Sequence, residues 1–155
     1  MTPFEQLAKN TAANEAYIQH HYSKENFISD IPQMLSANIY IKGLIIPKNV
    51  KVAESRLPIS HEQRKILNKE LRQAEILAKM GNSVYLIPEH HIYGQGLKDA
   101  IVNGIIYEFR TVGGNVSTLE WHFKDVKKRK GADTNLFVNP YVKLHIIPDM
   151  ESGTL

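Results

Sequence analysis

Residues 99–112 read DAIVNGIIYEFRTV, two β-rich runs joined by Asn103-Gly104. That dipeptide is the strongest short hairpin signal, because a two-residue type I′ turn needs positive φ at both central positions. Counting outward from the turn sets the register: Val102 faces Ile105, Ile101 faces Ile106, Ala100 faces Tyr107 and Asp99 faces Glu108. Directly opposed residues stand about 5 Å apart on one face of a sheet. Two carboxylates so placed repel one another unless something compensates. A divalent cation would do so, since hard oxygen ligands suit Mg2+ or Mn2+. Arg110 lies two positions past Glu108 and so shares its face. The hairpin therefore predicts an acid, a second acid and a guanidinium around one point.

Upstream, residues 61–81 read HEQRKILNKELRQAEILAKMG. Ser60 followed by Gln63 is a capping-box signature and Gly81 a stop, so a helix is expected between them. At about 100° per residue, Leu67, Leu71, Ala74, Leu77 and Ala78 form its apolar stripe. Glu70 falls inside that stripe, where an unpaired carboxylate is costly to bury. Packed on the sheet, this helix could deliver Glu70 as a third acid to the Asp99–Glu108 face; Glu75, at the stripe's edge, is the weaker candidate. The segment SVYLIPE predicts a strand ended by Pro88, and HHIYGQGLK a glycine-containing loop. Beyond the hairpin, Gly113-Gly114 breaks the second strand, and Ser117 with Glu120 starts another helix running to about Lys130. TNLFVNP and YVKLHIIP read as the last two strands.

The first 58 residues differ in character. Residues 1–23 carry helical spacing (Phe4, Leu7, Ala8, Ala12, Ala16, Ile18), and a second short helix is expected over 24–35, kinked or restarted at Pro32. Residues 39–52, punctuated by Gly43 and Pro47, read as short extended segments. Tyr17, His20, His21 and Tyr22 read as packing and surface residues. The expected fold is α/β (α+β): a mixed central β-sheet with a β-hairpin at the active site, flanked by helices, plus a helical N-terminal segment. The division expected is 1–58, a segment for cell penetration, docking or fold extension, and 59–155, the α/β domain proper.

Composition narrows the chemistry. There are no cysteines, so disulfides, thiolate metal sites and a cysteine nucleophile are excluded together. Apolar runs are too short to span a bilayer, and no secretory signal is expected at the N-terminus. The net charge is +3, with the excess concentrated at residues 124–130, KDVKKRK. Lys124, Lys127, Lys128, Arg129 and Lys130 either follow a nucleic-acid backbone, releasing counterions from phosphates, or form a solvated helix face. The acids have bland alternatives too: Asp99 or Glu108 can face solvent, Arg110 can simply neutralise them, and Glu70 can reach the rim or meet a lysine. The coincidence of three acids and an arginine at one expected site favours function.

The stretch ELRQAEILAKMGNSVYLIPE, a glycine loop, then KDAIVNGIIYEFRTV resembles the C-terminal tRNA-nuclease domains of contact-dependent growth-inhibition (CdiA-type) toxins and related phage and mobile-element nucleases. The resemblance spans about residues 62–147 and leaves the N-terminal third unmatched. The hairpin is also similar to the PD-(D/E)XK arrangement, with Lys98 in place of the proline and Arg110 in place of the lysine. The resemblance implies a nuclease acting on RNA, on tRNA in particular, in the cytoplasm of a target bacterial cell. Asp99 and Glu108 would bind Mg2+ or Mn2+, Arg110 would contact the scissile phosphate, and Glu70 would complete the acidic set. Arginine stays protonated in proteins, so Arg110 cannot be a general base, though it can stabilise the phosphate's charge. A toxin of this kind needs a cognate immunity protein in its producing cell.

Two other readings stay open. His91, with His90, paired with His122, Ser117 or Thr118 and Arg110, could run metal-independent cleavage through the RNA 2′-hydroxyl, as barnase-, EndoU- and colicin-like ribonucleases do. Alternatively, the chain is a non-catalytic binding module on a nuclease-like fold. Trp121 reads as a packing residue, and Gly94-Gln95-Gly96 lacks the spacing of a dinucleotide site.

Overall fold

The structure, a computed structural model, describes residues 2–35, 37–88, 99–113 and 135–141, from residue 111 onward in their backbone alone. Among the described residues, two helices, α1 (Pro3–His21) and α2 (His61–Lys79), accompany six strands: β1 (Phe27–Ile28), β2 (Val50–Ala53), β3 (Val84–Leu86), β4 (Ala100–Val102), β5 (Ile105–Gly113) and β6 (Asn135–Tyr141). The strands lie in one sheet in their sequence order. β1–β2 and β3–β4 are antiparallel, whereas β2–β3 and β5–β6 are parallel. The sheet is thus mixed and the fold α+β, as the patterning predicts. None of the described helices is long and apolar enough to cross a membrane.

Packing of the chain divides it into two compact units, Met1–Pro88 with Ala100–Ile105, and Glu89–Asp99 with Ile106–Leu155. In the first unit, α2 is the crossover between the parallel strands β2 and β3, against which it packs. Its N-cap is Ser60, whose Oγ accepts the Gln63 N–H at 3.2 Å. Gln63 Oε1 reaches back to accept the Ile59 N–H at 2.8 Å, one residue earlier than a capping box requires. Gly81 closes the helix at φ +94°. The predicted stripe is the buried one: Leu67, Leu71, Ala74, Leu77 and Ala78 all face the core, with Glu70 and Gln73 among them. Each fully buried leucine contributes about 1.5–3 kcal/mol. The central strand β3 buries all three residues, which is why VYL reads as a continuous apolar run instead of an alternation.

The N-terminal segment supplies α1, β1 and β2 to this unit. A T-x-x-E capping box starts α1: Thr2 Oγ1 accepts the Glu5 N–H at 3.1 Å, Glu5 Oε2 accepts the Thr2 N–H at 3.3 Å, and Pro3 follows the cap. The buried face of α1 is Asn10, Asn14 and Ile18, spaced by four, while Phe4 from the apolar set is 80% exposed. The helix expected over 24–35 is corrected. Phe27 and Ile28 instead pair with Ala53 and Val52 as β1, and a short 3-10 turn, Gln33–Leu35, follows Pro32. Pairing with a strand 24 residues downstream outweighs local helical preference here. Within 39–52 the extended structure is confined to β2, entered through a turn with Asn49 at φ +67°. The helix expected from Ser117 and the strand YVKLHIIP lie outside the described residues, whereas TNLFVNP contributes β6.

Candidate active site

The hairpin turn is of the predicted kind. Asn103 and Gly104 have φ values of +58° and +73°, the pair of left-handed residues a type I′ turn demands. Glycine at 104 answers the positive φ and not a lack of space, since a Cβ there would meet the Ala13 carbonyl oxygen at 3.4 Å, an ordinary contact. The turn's second residue has no ladder partner for its N–H, and Asn14 Oδ1 accepts it at 2.6 Å. Asn14 Nδ2 donates in turn to the Ser83 carbonyl at 2.7 Å and to Ser83 Oγ at 2.6 Å.

Three residues before β4's end of the turn, the ladder leaves the regular register. The Asp99 N–H, which simple counting directs away from β5, donates to the Tyr107 carbonyl at 3.1 Å. The Asp99 side chain takes over where β4 has ended: its Oδ2 accepts the Phe109 N–H at 2.6 Å. Asp99 is therefore bonded to the residues on both sides of Glu108. Both acids are buried, at 9% and 6% exposure. Glu108 Oε1 stands 3.4 Å from Arg110 Nε, and the two side chains are 7% and 18% exposed. A guanidinium two residues along the strand thus compensates Glu108, as the shared face predicts.

Glu70, the expected third acid, is buried at 7% exposure, and its carboxylate forms an ion pair with Arg56. Arg56 sits in the short turn Glu54–Arg56 after β2, and its side chain is 3% exposed. No spacing rule links it to a helix residue 14 positions later, so the pairing is not legible in the sequence. The buried charge on an apolar stripe was the available signal that some cation had to be there. Asn14 was passed over as well; its signal was the repeat Asn10, Asn14, Ile18 on one helical face. Glu75 meets Lys79 at 3.5 Å on the surface, so it is not part of a buried cluster.

His91, Ser117 and the basic residues Lys124, Lys127, Lys128, Arg129 and Lys130 lie outside the described residues, as do His90, Thr118, Trp121 and His122. Among the described residues there is no group of three or more histidines and acids able to enclose a metal ion. The donor set on the hairpin is two carboxylates. That suits an ion such as Mg2+, which is commonly held by one or two carboxylates and keeps waters and substrate phosphates as its other ligands.

Comparison of this chain with models of protein families, with characterised proteins and with solved structures finds no match.

Proposed function

We propose that this protein is a nuclease that hydrolyses phosphodiester bonds of RNA, tRNA in particular, at the Asp99–Glu108–Arg110 hairpin. The observation that carries the reading is the burial of two carboxylates on a single hairpin, one of them paired with a guanidinium. Burying acids is expensive, and sites where charge is gathered at that cost are frequently functional. The resemblance to CdiA-type tRNA-nuclease domains points the same way and supplies the substrate class.

Asp99 and Glu108 would hold Mg2+ or Mn2+. When bound, such an ion lowers the pKa of a coordinated water and neutralises charge on the leaving oxygen. A guanidinium does not serve as a general base, so the part of Arg110 would be electrostatic. It pairs with Glu108 and would stabilise charge on a phosphate. The Asp99–Phe109 hydrogen bond fixes the Asp99 carboxylate against β5. A toxin role, with an immunity protein as partner, belongs to this reading.

One observation favours a second reading, a binding module without catalysis: both hairpin carboxylates have protein partners, as purely structural acids would. Incubation of the purified protein with total tRNA, with and without Mg2+ and with excess chelator, separates the readings. Discrete fragments that need the metal and vanish in Asp99→Ala/Glu108→Ala support the proposal. Fragments that persist in chelator assign cleavage to a metal-independent ribonuclease, and intact tRNA in every lane favours the binding module.

A further inference from the structure

Helix α1 docks in an unusual way, since its buried face is amide, not hydrocarbon. Asn10 and Asn14 are 4% and 0% exposed, with Ile18 the one apolar residue on that face. A buried amide is tolerated only when its hydrogen bonds are made. Asn10 makes three, accepting from Gln6 Nε2 at 2.7 Å and donating to the Gly81 carbonyl and to Asn82 Oδ1, both at 3.0 Å. These bonds tie α1 to itself and to the end of α2. Asn14 also makes three, but one of them, from the Gly104 N–H, reaches the hairpin turn. The Ala13 carbonyl lies against the same glycine, so the turn rests directly on α1.

We infer that Asn14 is a positioning residue for the hairpin site, holding the turn from which the strands bearing Asp99, Glu108 and Arg110 extend. This rests on the nuclease reading above. Asp99 and Glu108 each stand three residues along the chain from the turn's flanking Val102 and Ile105, and β5 runs unbroken from Ile105 to Gly113. Displacement of reacting groups by about 1 Å can cost on the order of 100-fold in rate. Asn14 touches no substrate in this scheme and acts through the hairpin alone.

Asn10 provides the matched control, because it has the same chemistry, helix and number of bonds but no hydrogen bond to the turn. Asn14→Ala and Asn10→Ala are compared in tRNA cleavage at a temperature where both are folded, and Gly104 amide exchange is followed by NMR. Asn14→Ser is the substitute should Asn14→Ala not fold. The expected result is a fall in kcat of about tenfold or more for Asn14→Ala at nearly unchanged KM, with faster Gly104 exchange. Asn10→Ala stays within about twofold of wild type in kcat. Equal kcat and equal Gly104 exchange in the two variants would overturn the inference while leaving the function intact. A wild-type protein without Asp99-dependent cleavage would overturn the proposed function, and this inference with it.

Discussion

Replacing Arg56 by methionine leaves the Glu70 carboxylate without its ion-pair partner on the core face of α2. Both side chains are nearly sealed, at 3% and 9% exposure. Removing one member of a buried pair typically costs about 3–5 kcal/mol, because an uncompensated charge stays behind. That is a large share of the 5–15 kcal/mol that separates a typical folded domain from its unfolded chain. At about 2–4 °C per kcal/mol for a chain of this size, Tm should fall by about 6–20 °C. Replacing both partners, Arg56→Met with Glu70→Leu, removes the charges together and should recover most of the loss. Urea unfolding followed by circular dichroism, across wild type, both single variants and the double variant, measures the coupling directly. Single variants that each cost less than about 1 kcal/mol, with a double variant that is merely additive, would refute the reasoning.

Other perturbations have equally definite outcomes. Gly104→Ala places a Cβ at φ +73° against the Ala13 carbonyl, and should cost about 1–2 kcal/mol or more in chemical unfolding. Asp99→Ala leaves the Phe109 N–H without its carboxylate acceptor and should cost about 1–3 kcal/mol, whereas Asp99→Asn keeps an oxygen there and should cost less. Lys79→Ala, which removes an exposed pair with Glu75, should change stability by no more than about 0.5 kcal/mol. Burial raises the pKa values of Tyr17 and Tyr22 above the ordinary 10.0, with Tyr17 adding a charge effect on Tyr22. The unfolded chain then loses these protons first, so stability is unaffected below that value and declines as pH rises through it. Tyr22→Phe should flatten this decline in unfolding curves measured above pH 10.

The parts of the fold that could be read directly are those whose signals are local. Asn103-Gly104 specifies its own turn because few other dipeptides accept two positive φ values. The stripe of α2 is legible because five apolar residues at helical spacing leave one burial direction, and Ser60 and Gly81 mark its ends. Glu70 was legible as a buried acid for the same reason. What it meets was not, because Arg56 reaches it from a turn that only the tertiary fold brings near. Helix α1 was legible as a helix but not in its orientation. Its apolar residues promised a core face, and the buried face belongs to asparagines satisfied by distant backbone groups. β1 was missed since two residues carry no periodicity of their own and gain their structure from pairing with β2. On the hairpin, counting placed Asp99 opposite Glu108, but the side chain's bond to the Phe109 N–H depends on where β4 stops, which no count reveals.

The most direct test of the hairpin as a phosphodiester-cleaving site is the single-turnover rate of tRNA cleavage by Asp99→Asn and Glu108→Gln. These substitutions keep the shape and the hydrogen-bonding oxygens while removing the charge. The account predicts folded variants whose rates fall by at least about 100-fold, a loss that added Mn2+ does not restore. Rates within a few-fold of wild type in both variants would contradict it.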